Sequence, residues 1–317
     1  VTSATANTGG LEVTYDNELP TLILVTTRSD NPAGQQKANN GNTVELEFRA
    51  SENIDITTSD ITILGSTVPI PATTGVATDL MGWSAQSRAV TASDPSGTVT
   101  FSIDFRDIAG NAATQVISTT DATSVEIDRT SATASPIFMY SNNASTTLAK
   151  VGDIVYLQFE LDEPFNDLAA TIGGNTINQS NFSIVASDTY RLNYTMTSSD
   201  SEGPIAFTLL VTDTANNVTP IYTAVTRGTA VIFDGTSPSV TTVRASSTAG
   251  KYTDDDTPTP PDTSDVIDIL INFTENIQVD TTGGTPTLEL ETGTTDYTAD
   301  YVSATSNTLL FQYVVDD

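Results

Sequence analysis

Apolar and polar residues alternate with a period of two through much of this chain. In TVELEFRA, Val44, Leu46 and Phe48 alternate with Glu45, Glu47 and Arg49. Val155, Leu157 and Phe159 then alternate with Tyr156, Gln158 and Glu160, and Ile267, Ile269 and Ile271 with Asp268, Leu270 and Asn272. Later runs behave alike: Phe101, Ile103, Phe105; Phe207, Leu209, Val211; Phe311, Tyr313, Val315. Period two over such lengths predicts strands with one buried face. Thr and Val are abundant, as strands prefer. Gly, Asn, Asp and Pro separate the runs, and no run has a convincing helical period. The pattern predicts an all-β chain built from sandwiches of about seven strands each.

The runs repeat at domain length. Three of them pass from Phe, over six positions, to Asp: Phe101 to Asp107, Phe207 to Asp213 and Phe311 to Asp317. A second acidic signature recurs as ASENI with Glu52, LDEPF with Glu163 and FTENI with Glu275. Glu52 to Glu163 spans 111 positions and Glu163 to Glu275 spans 112. A third recurs where an apolar strand end meets Asp and then Pro: Asp16 before Pro20, Asp128 before Pro136, Asp234 before Pro238. A period this long is a whole domain rather than a solenoid unit. The expected organisation is a last strand of a preceding module at 1–17, module 1 at 18–129, module 2 at 130–235, and a C-terminally incomplete module 3 at 236–317.

Composition narrows the chemistry. Forty acidic residues against eleven basic leave a net charge of −29 in 317 residues. Nucleic acid and anionic membranes need a positive surface, so neither is an expected partner. Bound cations are favoured, as is solubility in salty surroundings. The chain has no Cys, which removes disulfides and thiolate metal sites, and no His, which removes the usual general base and the usual transition-metal ligand. Hard cations held by oxygen remain possible. No enzymatic activity is expected, and the apolar runs are too short to span a bilayer.

In their order and spacing, AKVGDIVYLQFELDEPF (149–165), DIAGN (107–111), DTANN (213–217) and DGTSP (234–238) resemble the bacterial immunoglobulin-like repeats of large surface proteins. The likeness covers nearly the whole chain. Module 2 carries Asn216 where the pattern has Gly, and module 3, with TPTLELETG (285–293), resembles a sister type. The resemblance implies tandem immunoglobulin-like β-sandwiches in an extracellular, cell-surface stalk of an adhesin, often stiffened by calcium. Its partners would be neighbouring modules of the same array and a cell-surface or glycan ligand at a distal tip; copies of itself would be partners under the alternative of a self-assembling component.

In such a sandwich the second and sixth strands run to the same end in opposite sheets. Glu52, four residues past inward-facing Phe48, and Asp107, two past Phe105, both keep inward parity. Across sheets about 10 Å apart their carboxylates would face each other over a few ångströms. Two anions so placed repel unless one is protonated or a cation lies between them. Asp16 arrives at the same end. The expected metal ligands, with calcium as the metal, are therefore Asp16, Glu52 and Asp107 in module 1. They are Asp128, Glu163 and Asp213 in module 2, and Asp234, Glu275 and Asp317 in module 3, with Asp55 and Asp167 as weaker additions. The plainer reading stays open, since Asp before Ala-Gly-Asn is also a turn former.

Other features carry less. Asp254–Asp256, with Asp262 and Asp265, reads as a solvated acidic loop or a separate cation site. Trp83, the only Trp, reads as packing or as a sugar platform. Sequons fall at Asn143, Asn178, Asn181, Asn193, Asn217 and Asn272. Two alternatives to the stalk are a self-assembling filament, sheath or S-layer component, suggested by a strand without a module at one end and a module short of its last strand at the other, and a carbohydrate-binding accessory module.

Overall fold

The computed structural model describes residues 2–3, 14–55, 60–68, 82–249 and 266–315. All described elements are strands except one short 3-10 turn, Gln179–Asn181. The chain divides into two compact units, Val1–Asp234 and Gly235–Asp317.

In the first unit β1 (Thr2–Ser3) pairs with β2 (Thr14–Tyr15) ahead of module 1. Module 1 follows with β3 (Leu22–Ser29), β4 (Lys37–Ala38), β5 (Thr43–Ala50), β6 (Asp60–Ile63), β7 (Ser66–Thr67) and β8 (Gly82–Ala89). It closes with β9 (Gly97–Thr98), β10 (Phe101–Asp104) and β11 (Glu126–Ile127). One sheet has the order β3-β5-β8, the facing one β10-β6-β7. Val44, Leu46 and Phe48 of β5 and Ile103 of β10 meet in one core with Ile54, Phe105 and Ile127. The alternation in TVELEFRA thus reflects a strand with one face in that core and the other in water.

Module 2 repeats the plan: β12 (Ala134–Ser141), β13 (Leu148–Ala149), β14 (Ile154–Leu161), β15 (Phe165–Ile172), β16 (Asn175–Thr176) and β17 (Phe182–Ala186). Then come β18 (Thr189–Thr195), β19 (Gly203–Pro204), β20 (Phe207–Asp213) and β21 (Ile232–Phe233). Its sheets are β12-β14-β18-β17 and β16-β15-β20. In both modules the linker strand lies parallel to the strand before the second long one: β11 beside β4, β21 beside β13. The first of these pairings carries the chain out of module 1 at Asp128, which lies with Glu163 and Asp213 of module 2. These are tandem immunoglobulin-like sandwiches.

The second unit is one sheet among its described residues: β22 (Val240–Ala245), β23 (Val266–Phe273), β24 (Thr287–Leu290), β25 (Tyr297–Thr305) and β26 (Thr308–Val314), in the order β22-β23-β26-β25-β24. This corrects one sequence expectation. Phe311 lies on β26, which pairs with β23 as β18 pairs with β14. The run into Asp317 is therefore the counterpart of β18, not of β20. A Phe-to-Asp spacing does not distinguish two strands that share one periodicity. The packing of this sheet is looser as well: Ile269 and Ile271 keep 8% and 9% exposure, where Leu157 and Phe159 keep 0%.

Candidate metal centre

Two carboxylate trios converge in the first unit: Asp16, Glu52 and Asp107, and Asp128, Glu163 and Asp213. Within each trio one oxygen per residue lies within 4.8 Å of the others. Two oxygens on one calcium ion, each 2.3–2.6 Å from it, sit at most about 5 Å apart, so the spacing fits. The donors are all carboxylate oxygens, the set a hard cation takes.

The local folding of the two sites is the same. Glu52 and Glu163 each stand two residues beyond a long strand, β5 or β14. Asp107 follows β10 and Asp213 ends β20, both in the facing sheet. The backbone of Ile54 bridges Asp107, and Phe165 pairs with Asp213 in the same way. Each Glu loop is thereby tied to its Asp.

The strand-end Asp is buried and its carboxylate is held. Asp107 accepts from the Asn111 backbone N–H at 2.7 Å and from its side-chain amide at 2.6 Å. Asp213 accepts from the backbone N–H groups of Ala215 and Asn217, both at 2.8 Å, and from the Asn217 amide at 2.9 Å. The same Asn amides also donate to the linker carbonyls: Asn111 to Asp16 at 3.2 Å, Asn217 to Asp128 and Thr130 at 3.2 Å each. Asn111 and Asn217 are structural members of the sites that the recurrence of acids along the chain does not reveal. Their signal was present as the Asn four places after each Asp. In both loops the preceding residue is left-handed, Gly110 at φ +94° and Asn216 at φ +68°. Asn is one of the few residues that enter this region readily, so the departure at Asn216 keeps the loop's form.

The linker acids are arranged by turns. Asp16 Oδ1 accepts from the Glu18 N–H at 3.1 Å; Asp128 Oδ1 accepts from the Thr130 N–H at 3.2 Å and its hydroxyl at 3.0 Å. Turn formation and cation binding are thus compatible roles here, because the turn uses one oxygen of each linker acid.

Electrostatics set the two Glu residues apart. Burial, followed by the charges of Asp16 and Asp107, raises the Glu52 carboxyl above its ordinary range. Burial with the charges of Asp128 and Asp213 pushes Glu163 up to about 7, against the pull of Lys37. Burial also acts to raise Asp107, but the bonds from Asn111, Gly110 and Ala109 outweigh it and hold Asp107 below its ordinary value. The first trio therefore keeps Asp107 as a fixed anion, and each trio holds a Glu carboxyl that ionises at a cost unless positive charge arrives.

The second site sits between modules 1 and 2. Lys37 of module 1 places its ammonium 3.9 Å from Asp128 and 2.7 Å from Glu126. Asn31 donates to the Thr214 carbonyl at 3.3 Å, and Asn39 to the Asn217 side chain at 3.4 Å.

The remaining expected ligands do not form a described site. Asp317 lies outside the described residues, as do Asp254–Asp256, Asp262 and Asp265. Asp234 belongs to the first unit, where it is exposed, and Glu275 to the second, where it is half-buried. Asp55 and Asp167 join neither trio. Trp83 lies on β8 opposite Phe48 in register.

No protein-family model matches the chain, and no curated protein matches its sequence. Similar solved structures include a titin Ig tandem, at 10% identity over 69% of this chain and 98% of that one, with a TM-score of 0.21. Fibronectin(III)-like modules of Clostridium thermocellum CbhA align at 10% identity over 66% and 94%, with a TM-score of 0.31. A second titin Ig tandem aligns at 10% over 89% and 86%, with a TM-score of 0.28. The tandem-sandwich architecture stands on the strand pairing itself.

Proposed function

We propose that this chain is a spacer: a segment of an extracellular stalk in a repetitive bacterial surface protein, with junctions stiffened by calcium. The observation that carries the reading is the recurrence of one carboxylate trio at two successive module borders, each taking one ligand from the linker. A catalytic pair has no reason to recur with its linker. A junction ligand has, because a cation bound by linker, strand end and Glu loop ties the entering chain to the module it enters.

The residues present suit that role. In the second site Asp128 would bring the linker, Glu163 the loop after β14, and Asp213 the end of β20. Calcium would supply the positive charge that lets Glu163 ionise beside two anions. No described helix is long and apolar enough to cross a membrane. Binding to the folded state alone would stabilise it by mass action.

Thermal unfolding of the whole chain in calcium and then in chelator tests the reading. The expected result is a calcium-dependent rise in melting temperature that Glu163→Gln with Asp213→Asn largely removes. Small-angle scattering should show a longer, stiffer particle in calcium. Unchanged melting and unchanged particle length at saturating calcium would overturn the proposal.

A further inference from the structure

Module 2 contains a cavity that the stalk reading leaves without a use. It has a volume of about 370 Å³ and opens between its two sheets, where the chain crosses from β16 to β17. The size lies in the range of small-molecule sites, roughly 300–1,000 Å³. Phe165 and Leu168 of β15 and Phe182 of β17 form its apolar wall. Asn166, Asp167, Asn178 and Gln179 stand around it. All four are exposed, and among the described residues their side chains make no hydrogen bond within the protein.

Phe165 is particular to this module. Its place in the repeat, opposite the strand-end Asp, is held in module 1 by Ile54, which is 3% exposed and packs in the core. The ENI signature of module 3 again has Ile, at Ile277. In module 2 the position carries a half-buried ring that meets Phe182 edge-on at 6.0 Å and Tyr190 at 5.1 Å. The ring packs in part against the core of module 2 and also lines the cavity.

We propose that this cavity binds a neutral saccharide, a hexose ring or a short disaccharide. The chemistry selects the class. Aromatic faces attract the polarised C–H groups of a sugar ring. Three carboxamides and one carboxylate offer donors and acceptors for its hydroxyls. No Lys or Arg lines the cavity, and Asp167 together with the net charge of −29 disfavours an anion. A purely apolar ligand would leave the polar rim without partners.

Saturation-transfer NMR on the whole chain tests this with methyl glycosides of glucose, galactose, mannose and N-acetylglucosamine, their disaccharides, and ethylamine as a cationic control. At least one sugar should receive saturation. Phe165→Ile, which restores the residue of the other modules, should weaken its binding about tenfold or more, and so should Gln179→Ala on the exposed turn. Circular dichroism of both variants should match the parent. Binding should be the same in calcium and in chelator, so it stands or falls separately from the junction sites. Transfer to no sugar, transfer to ethylamine only, or transfer unchanged in both variants overturns the proposal.

Discussion

Asn217 joins three parts of the second junction with one side chain: the Asp213 carboxylate and the linker carbonyls of Asp128 and Thr130. Removing it leaves buried Asp213 short of a donor. Asn217→Ala is expected to cost module 2 about 1–3 kcal/mol in denaturant unfolding; a change within error would show that water replaces the amide fully. Glu163 gives a pH test. Its folded pKa of about 7 lies above its ordinary 4.5, so protonated Glu163 favours the folded state. Without metal, that stability is fully present below about pH 4.5 and is lost as pH rises through about 7. Melting in chelator should therefore fall as pH goes from 5 to 8, and Glu163→Gln should flatten the slope. A parent curve already flat would contradict the placement of Glu163 between two anions.

At the scale of the strand, periodicity shows which face is buried, and the depth of that burial sets the cost of a change. Leu157 on β14 is fully buried between the sheets, whereas Ile184 on edge strand β17 is 67% exposed. Leu157→Ala should cost about 2–5 kcal/mol, since it opens a cavity in a close-packed core. Ile184→Ala should stay within about 0.5 kcal/mol. Equal costs, read by the same denaturant titration, would mean that β17 packs more tightly than its exposure shows.

Across the molecule, the two trios differ by their neighbours. The second has a fixed ammonium beside it, because Lys37 of module 1 reaches Asp128 and Glu126. A cation entering that site meets a resident positive charge. Lys37→Met keeps most of the apolar stem and removes the charge, so calcium affinity at the second site should rise roughly three- to tenfold at low salt. Calorimetric titration of the whole chain measures it, and weaker binding would show that Lys37 helps to build the site instead.

The sequence by itself determined the strands, the domain-length repeat and the acids that recur in phase. Alternation and spacing are properties of the chain, and a two-sheet fold turns them into faces and ends. Parity was enough to aim Glu52 with Asp107, and Glu163 with Asp213, at one another. Tertiary structure decided what depends on pairing and on neighbours. Pairing with β23 makes β26 the partner of β18 in kind, a distinction invisible in a Phe-to-Asp spacing that both strand types can carry. Distance in space brought Lys37 to Asp128 across 91 positions. Burial raised Glu163, and two bonds to linker carbonyls gave Asn217 its role. Such effects arise from which surfaces exclude water together, and a linear pattern fixes that only after the sheets have closed.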